Sequence, residues 1–255
     1  MMMNFTLSNQ VQIPAVGIGT FMMTPDQAEQ AVVDALACGY RMLDTAQAYM
    51  NERAVGRGIK RSGVAREDIF ISTKIWASQY LTEGTVEKSL ELLGTDYIDL
   101  MFIHQPAGDF MAGYRKLETV AIRPMVNQIE MHPYFAQESA LKVMEEYQIV
   151  PEAWAPLGGG RHNPFDNEMV KEIAAAHGKT VGQVVLRWNV QRGVVVIPKS
   201  VHKARIEENF QIWDFTLTEE EMQKISSLDL GYQGTAVKHF DPEFVKMCNI
   251  RKIHE

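Results

Sequence analysis

Three hydrophobic runs in this chain each end in an ionisable residue: Tyr40-Arg-Met-Leu-Asp44, Ile69-Phe-Ile-Ser-Thr-Lys74 and Tyr97-Ile-Asp-Leu-Met-Phe-Ile-His104. Their lengths and compositions predict β-strands. A tyrosine, Tyr49, follows the first run after four residues. A (β/α) barrel builds its active site from polar residues at the carboxyl ends of successive strands. The set Asp44, Tyr49, Lys74 and His104 therefore predicts a barrel with a catalytic function.

Strand and helix patterns alternate along the rest of the chain, which indicates a parallel α/β architecture. The first barrel strand is predicted at residues 16–19, and the three runs above are the next three strands. Further strands are predicted at residues 125–130, 150–155 and 194–198. Helices are predicted at residues 25–38, 51–61, 85–93, 110–120, 138–147, 168–177, 181–190, 204–210 and 218–227. The first helix is predicted to begin with Thr24 as its cap and Pro25 at its first position, and to end at Gly39. No linker interrupts the pattern, so residues 1–255 are predicted to form a single domain of TIM-type barrel fold.

The predicted barrel strands number seven, whereas a regular barrel closes with eight. Only one short helical stretch fits between His104 and the strand that begins at Met125. The sequence therefore predicts a barrel that lacks one βα unit.

Charge and composition narrow the classes of partner. The net charge of −7 argues against a nucleic-acid partner, because phosphate binding requires a basic face. No apolar stretch reaches the roughly 18 residues of a membrane helix, and the first residues do not resemble a signal peptide. The two cysteines, Cys38 and Cys248, have no metal-binding spacing, which favours a reducing compartment. We therefore expect a cytoplasmic protein with a small-molecule substrate and no metal.

The four strand-end residues together suit the protonation of a carbonyl oxygen. Tyr49 is a poor acid at neutral pH unless a nearby cation such as Lys74 stabilises its phenolate. The carboxylate of Asp44 would keep that lysine charged and in place. A neutral His104 could donate a hydrogen bond to the substrate oxygen. No side chain supplies a hydride, so this chemistry requires a nicotinamide or a flavin.

Longer motifs carry a resemblance to the aldo-keto reductase family, in particular to its bacterial members. They occur in the family's order over nearly the whole chain. The motifs are Leu43-Asp-Thr-Ala-Gln-Ala-Tyr49 with Asn51-Glu52, Ser72-Thr-Lys-Ile-Trp76, Asp96-Tyr-Ile-Asp-Leu-Met-Phe-Ile-His-Gln-Pro106, Met125-Val-Asn-Gln-Ile-Glu-Met-His-Pro133, Glu152-Ala-Trp-Ala-Pro-Leu157, Ile197-Pro-Lys-Ser200, Arg205 and Glu208-Asn209.

The resemblance implies a (β/α)₈ barrel that reduces aldehydes or ketones with NADP(H). It implies that Tyr49 is the general acid and that His104 orients the carbonyl. The resemblance further implies that Lys74 and Asp44 adjust the pKa of this tyrosine. Small dicarbonyl compounds or keto-sugars are the substrate class that the resemblance favours.

Ten residues match the family's positions around NADP(H), from the nicotinamide to the adenine. These residues are Gln128, Trp154, Leu157, Gly158, Gly160, Lys199, Ser200, Arg205, Glu208 and Asn209. The chemistry of Lys199, Ser200 and Arg205 supports the match, because two cations and a hydroxyl within seven positions suit a 2′-phosphate. That favours NADPH over NADH. The run Gly158-Gly-Gly160 allows the backbone to come close to a phosphate.

The sequence departs from the family between His104 and Gln128. Relatives carry a strand there that ends in Ser-Asn and holds the nicotinamide carboxamide, whereas this chain runs from Glu118 directly to Met125. A natural deletion, a designed removal and residues missing from the sequence as read are the three explanations, and the continuous numbering favours a real deletion. We expect lower stability than in relatives, and self-association if the barrel is open.

Two alternatives to a reductase remain. A Schiff-base enzyme would use Lys74 as its nucleophile, but it would leave Tyr49 and the Lys199 to Arg205 segment without a role. A reductase-like scaffold that binds NADP(H) or a protein partner without turnover would explain the missing Ser-Asn strand.

Overall fold

A computed structural model describes residues 3–118, 124–160, 162–233, 241–251 and 253. The chain divides into two compact units. Unit 1 comprises Met1–Gly17, Pro124–Lys199 and Ala204–Ala236, and unit 2 comprises Ile18–Arg123, Ser200–Lys203 and Val237–Glu255. The single domain expected from the sequence stays a prediction.

Unit 2 contains a four-stranded parallel sheet in the order β3-β4-β5-β6. Its strands are β3 (Ile18–Gly19), β4 (Met42–Asp44), β5 (Phe70–Ile75) and β6 (Leu100–Ile103). Its helices are α1 (Pro25–Cys38), α2 (Glu52–Ser62), α3 (Thr85–Leu93), α4 (Phe110–Glu118) and α10 (Pro242–Ile250). Each of the first three helices lies between two consecutive strands of the sheet, as the alternating pattern predicts.

Unit 1 contains the remaining strands. The antiparallel hairpin consists of β1 (Asn4–Thr6) and β2 (Gln12–Pro14), and the parallel sheet β7-β8-β9 consists of β7 (Val126–Glu130), β8 (Val150–Trp154) and β9 (Val195–Val196). Its helices are α5 (Glu138–Glu146), α6 (Glu168–Ala176), α7 (Val181–Gln191), α8 (Lys203–Phe210, which begins at the end of a unit 2 segment) and α9 (Glu219–Ser226).

The described residues contain seven parallel strands, β3 to β9, at the seven places that the sequence predicts. Strand β9 is shorter than expected, with two residues in place of five. In this strand, the carbonyl of Val196 accepts a hydrogen bond from the amide of Gly17, and the amide of Val196 donates to the carbonyl of Ala15. The ladder then stops before Pro198, because proline has no N–H to donate.

Helix ends follow the local signals in the sequence. Thr24 caps α1 and accepts from the amide of Gln27, Pro25 occupies the first turn, and Gly39 ends the helix with a φ of 113°. This confirms the predicted start and end of the first helix. The predicted helix at residues 110–120 is described as far as Glu118, and its last two residues lie outside the described residues.

The sequence predicts no helix beyond residue 227, whereas the structure has α10 at Pro242–Ile250. Asp241 caps this helix through the amide of Glu243, and Pro242 occupies its first turn. These two residues are a start signal that sequence reasoning could have used.

Burial separates the inner strand of unit 2 from its outer one. All six residues of β5 are buried, whereas all four residues of β6 are half-buried. Since β6 is the last strand of this sheet, its exposure is that of an edge strand. Unit 1 has a separate core around Trp188, which is fully buried. No helix in the described ranges is long and apolar enough to cross a membrane.

We predict that Gly56→Ala destabilises the protein, although alanine is the better helix former by about 1 kcal/mol. A Cβ at Gly56 would lie 2.3 Å from the carbonyl oxygen of Leu93, so α2 could not keep its distance from the end of α3. We expect the free energy of unfolding in urea to fall by about 1 to 3 kcal/mol. Gly182→Ala in α7 is the control, because the added Cβ meets its nearest atom at 3.6 Å. Equal effects of the two substitutions would contradict the prediction.

Candidate active site

Strands β4 and β5 place Asp44 and Lys74 side by side in unit 2. The register pairs Asp44 with Ser72, and Lys74 lies two residues further along the same face of β5. The ammonium nitrogen of Lys74 lies 2.6 and 2.7 Å from the two carboxylate oxygens of Asp44. It also lies 2.8 Å from the carbonyl oxygen of Thr45. The structure thus brings together two of the predicted residues that are 30 positions apart.

This ion pair is buried, with both side chains only 2% exposed. Asp44 also accepts a hydrogen bond from the hydroxyl of Ser72 at 2.9 Å. Each of the three ammonium protons of Lys74 has an acceptor, which offsets the cost of removing the charge from water. Removing one partner of such a pair costs about 3 to 5 kcal/mol, because it leaves a buried charge without compensation.

Tyr49 ends a single 3₁₀ turn, Gln47–Tyr49, directly after β4. The ammonium of Lys74 lies 5.1 Å from the centre of the Tyr49 ring. The ring centres of His104 and Tyr49 are 5.7 Å apart, and the two ring planes are nearly perpendicular. Tyr49 is half-buried, so a small molecule can reach it. All four predicted residues therefore lie at the same end of the unit 2 sheet.

The imidazole of His104 is neutral at physiological pH. Burial lowers its pKa well below the ordinary value of 6.5, and the charges of Lys74 and Arg251 lower that pKa further. Among the residues that the structure describes, its buried Nδ1 atom has no hydrogen-bond partner. The indole of Trp76 packs nearly perpendicular to the imidazole, with the two ring centres 5.0 Å apart. A neutral imidazole held in this way can donate one hydrogen bond but carries no charge of its own.

A second layer of polar residues, which sequence reasoning did not assign to the site, fixes these side chains. The side chain of Gln47 accepts from the amide of Trp76 at 3.1 Å and donates to the hydroxyl of Ser89 at 3.2 Å. On the opposite face of β5, the hydroxyl of Thr73 donates to the carboxylate of Glu52 at 2.7 Å. Burial raises the pKa of that carboxyl group. The sequence signal that could have indicated this second layer is the pair Asn51-Glu52, which belongs to the motif around Tyr49.

Backbone strain accompanies the candidate residues. Met50, Gln105 and Ala155 have φ values of 58°, 56° and 51°, in the left-handed region that non-glycine residues rarely adopt. They directly follow Tyr49, His104 and Trp154 in turn. Strained backbone of this kind clusters at functional sites, where the surrounding structure stabilises it.

The candidates for the nicotinamide end of a cofactor lie on β7 and β8 of unit 1. Gln128 faces Glu152 in the register of these strands, and its amide donates to that carboxylate at 2.6 Å. Trp154 is the last residue of β8 and is half-buried. Leu157 follows it and is also half-buried. Gln128 is the middle residue of β7, and Leu157 lies three residues beyond the end of β8.

The backbone path of the glycine-rich loop of unit 1 depends on glycine having no side chain. Gly158 has a φ of 91°, and a Cβ there would lie 2.0 Å from the carbonyl oxygen of His162. Gly160 has a φ of 83° and is exposed. The backbone can follow this path only with glycine, and it leaves a surface that a flat or charged group can approach closely.

Lys199 and Arg205 are exposed cations of unit 1. Across the described ranges, neither has a carboxylate within ion-pair distance, in contrast to Lys179, which pairs with Asp214 at 2.7 Å. The hydroxyl of Ser200, a buried residue of unit 2, accepts from the amide of His202.

Glu208 and Asn209, the last of the predicted cofactor residues, lie on α8. The carboxylate of Glu208 accepts from the hydroxyl of Thr180 at 2.8 Å, which ties α8 to the start of α7. Asn209 is buried. The predicted catalytic set thus lies wholly in unit 2, and the predicted cofactor residues lie in unit 1 apart from Ser200.

Parallel strands with helices between them, and polar side chains at the strand ends, define an α/β protein of the TIM-barrel class. The model of the Aldo/keto reductase family matches residues 15–120 and 111–230. The chain belongs to the aldo/keto reductase family. This confirms the predicted fold class and the predicted NADP(H)-dependent oxidoreductase activity on carbonyl compounds.

Individual relatives agree with the family match. The chain is 42% identical to the 9,11-endoperoxide prostaglandin H2 reductase of Trypanosoma cruzi (strain CL Brener) over 257 residues, covering 88% of this chain and 90% of the relative. It is 41% identical to the glyoxal reductase of Bacillus subtilis (strain 168) over 254 residues, covering 88% and 91%. The crystal structure of a Bombyx mori aldo-keto reductase in complex with NADP matches with a TM-score of 0.86 at 29% identity, covering 96% of this chain and 97% of that one.

The comparison with the Trypanosoma relative supports the missing βα unit. Since 88% of 255 residues is about 224, roughly 33 of the 257 aligned positions have no counterpart in this chain. That length corresponds to one strand and one helix with their loops. The family model also matches in two overlapping segments that meet at residues 111–120, where the sequence departs from the family.

We predict that the protein loses stability as the pH falls below about 6.5, and that His104→Gln weakens this dependence. The unfolded chain binds a proton at His104 near its ordinary pKa, whereas the native state does so only at much lower pH. The free energy of unfolding therefore falls as the pH decreases between these two values. Urea unfolding at pH 7.5 and pH 5.5 measures the effect. His202→Gln, at an exposed histidine, is the control. Equal losses in the wild type and in His104→Gln would refute the assignment.

Proposed function

We propose that this reductase protonates its carbonyl substrate from Tyr49, with Lys74, Asp44 and His104 in supporting roles. The observation that carries the proposal is the buried Asp44–Lys74 ion pair, whose ammonium lies 5.1 Å from the centre of the Tyr49 ring. The substrate becomes an alcohol when it gains a hydride on carbon and a proton on oxygen. NADPH, when bound, supplies the hydride.

Each of the four side chains has its own role in the proton transfer. Asp44 keeps Lys74 charged, and this cation favours the phenolate that Tyr49 becomes when it gives up its proton. The neutral imidazole of His104 donates a hydrogen bond to the substrate oxygen and so positions it beside the phenol. Because its pKa is low, His104 adds no positive charge that would compete with the ammonium.

The residues of unit 1 suit NADP(H) as the cofactor. Gly158 and Gly160 provide a backbone path that a diphosphate can approach. Lys199 and Arg205 are exposed and have no carboxylate partner in the described part of the chain, so their charges are available to a 2′-phosphate. Gln128 and Trp154 would hold the nicotinamide, and Glu208 and Asn209 the adenine.

Small dicarbonyl compounds or keto-sugars are the substrates that we propose. The relative from Bacillus subtilis is named a glyoxal reductase, which supports a small dicarbonyl. We place the protein in the cytoplasm, because the two cysteines, Cys38 and Cys248, show no metal-binding spacing or disulfide framework in the sequence, which favours a reducing compartment. The half-buried edge strand β6 supports self-association, which sedimentation over a range of protein concentrations would test.

A Schiff-base mechanism is disfavoured by the surroundings of Lys74. Its ammonium donates to both oxygens of Asp44 and to the carbonyl of Thr45, which holds the amine in its protonated, non-nucleophilic form. A protein that binds NADP(H) without turnover is the second candidate. It is favoured by the lack of a described strand between β6 and β7 in sequence that could supply the Ser-Asn pair.

We predict that Tyr49→Phe lowers kcat for methylglyoxal by about 10²- to 10⁴-fold, because the variant has no proton to donate. NADPH binding, followed by quenching of protein fluorescence, should be unchanged. Tyr147→Phe removes the same atom from an exposed tyrosine and is the control. Full activity of Tyr49→Phe would exclude the proposed role. Tight NADPH binding by a wild-type protein without turnover would instead favour the second candidate.

We predict that Lys199→Met and Arg205→Met each weaken NADPH binding by roughly tenfold or more, since each removes a charge-assisted contact with the 2′-phosphate. NADH binding should change little, because NADH lacks that phosphate. The control is Lys224→Met, which removes a surface lysine that is paired with Glu220. Equal losses of affinity for NADPH and NADH would show that these residues do not bind the 2′-phosphate.

A further inference from the structure

Arg251, at the end of α10, lies next to the catalytic end of unit 2. Its guanidinium donates to the carbonyl oxygen of Ala48 at 3.1 Å, and Ala48 directly precedes Tyr49. The guanidinium carbon lies 5.4 Å from the centre of the Trp76 ring. The hydroxyl of Ser78 also donates to the carbonyl of Arg251 at 3.3 Å. The C-terminal segment thus adds a cation to a site whose other residues come from the first 104 positions.

The distance from this cation to the substrate oxygen is bounded by two ring contacts. Trp76 lies 5.4 Å from the guanidinium carbon of Arg251 and 5.0 Å from the centre of the His104 ring. The guanidinium carbon is therefore at most about 10.4 Å, the sum of these two distances, from the centre of the His104 ring. Its charge is one of the causes that lower the pKa of this histidine, as expected at such a separation. A carbonyl compound of about the size of a substituted benzaldehyde could reach both groups.

The position of Arg251 is fixed by the packing of α10. Cys248 and Ile253, on either side of it in sequence, are buried in one cluster with Trp76 and Ala48. The helix approaches Gly108 so closely that a Cβ there would lie 2.4 Å from the side-chain oxygen of Asn249. The arginine therefore ends a segment that is held against the site.

The charge of Arg251 is available to a ligand. Arg251 is exposed, and no aspartate or glutamate in the described ranges lies within ion-pair distance of it. One donor of the guanidinium is used by Ala48, whereas the group offers five N–H donors in a fork that fits a carboxylate. Arg66 in the same unit illustrates the usual alternative, since its guanidinium pairs with Asp99 at 2.6 Å.

Apolar and aromatic surfaces lie around the catalytic tyrosine. The ring of Phe21 is 55% exposed and lies 5.1 Å from the ring of Tyr49. The neighbouring residues Met22 and Met50 are 77% and 61% exposed. Side chains of this kind suit the apolar part of a substrate, while a cation at the edge suits its anionic end.

We propose that Arg251 is a specificity-determining residue that binds the carboxylate of anionic carbonyl substrates. The inference rests on the proposed function of Tyr49 and His104, and it names the substrate class of that site as aldehydes or ketones that carry a carboxylate a few bonds from the carbonyl. The aromatic neighbours favour substrates with an apolar body between the two groups.

The test compares two substrates that differ only in charge, 4-carboxybenzaldehyde and its methyl ester. For each, kcat/KM is measured with the wild type, Arg251→Met and Lys246→Met. Lys246 is an exposed cation on α10 and controls for the loss of one positive charge. We expect Arg251→Met to lower the ratio of kcat/KM for the acid to that for the ester by roughly tenfold or more. The control should leave this ratio unchanged.

An unchanged ratio in Arg251→Met would overturn the proposal, because a purely structural role of the arginine would lower the activity on both substrates alike. Arg251→Lys keeps the charge without the fork, should give an intermediate ratio, and replaces Arg251→Met if circular dichroism finds that variant unfolded.

Calorimetric titration with benzoate separates this inference from the proposed function. If the wild type reduces neither substrate but binds benzoate, and Arg251→Met loses that binding, the proposed function fails and the anion site stands. If the wild type does not bind benzoate, or Arg251→Met binds it equally well, the anion site is wrong whatever the activity.

Discussion

The buried ion pair between Asp44 and Lys74 is the constraint on which the candidate site depends. Two charges with 2% exposure are tolerated only because the carboxylate, the hydroxyl of Ser72 and the carbonyl of Thr45 satisfy them together. That arrangement requires the observed register of β4 and β5, since a shift by one residue would turn Lys74 to the other face of the sheet. The positions of Tyr49 and His104 follow from the same sheet. Catalytic chemistry and strand pairing are therefore specified by one set of contacts.

The missing βα unit is a departure from the family that leaves the catalytic set intact. The four candidate catalytic residues lie in β4, in the turn after β4, in β5 and directly after β6, and all of them precede the segment in which the sequence departs from the family. The strand that relatives use to hold the nicotinamide carboxamide has no counterpart among the described strands. The loss of a whole unit preserves the alternation of strands and helices along the chain, and β7, β8 and β9 pair in parallel with one another. The structural consequence is seen at the edge strand β6, which is half-buried along its length.

Much of the fold follows from local signals in the sequence. Thr24, Pro25 and Gly39 define α1 because capping and left-handed termination depend on residues within one turn of the helix end. The same reasoning overestimated β9, whose ladder stops before Pro198, and overlooked α10 despite its Asp241-Pro242 start. Within the site, Asp44, Lys74 and His104 were predicted because they end hydrophobic runs, and Tyr49 because it closely follows the first run. Gln47 and Thr73 were not, because a buried amide or hydroxyl has no distinctive pattern in a sequence.

The sequence by itself determined the order of strands and helices, the family and the residues that end the strands, because these depend on composition, periodicity and motifs along the chain. Only the tertiary structure decided which of those residues meet. Lys74 finds its carboxylate 30 positions away, and Arg251 reaches Ala48 from 203 positions away. It also decided that His104 is neutral, since burial lowers its pKa. Contacts of this kind depend on long-range packing and desolvation, which local sequence patterns do not encode.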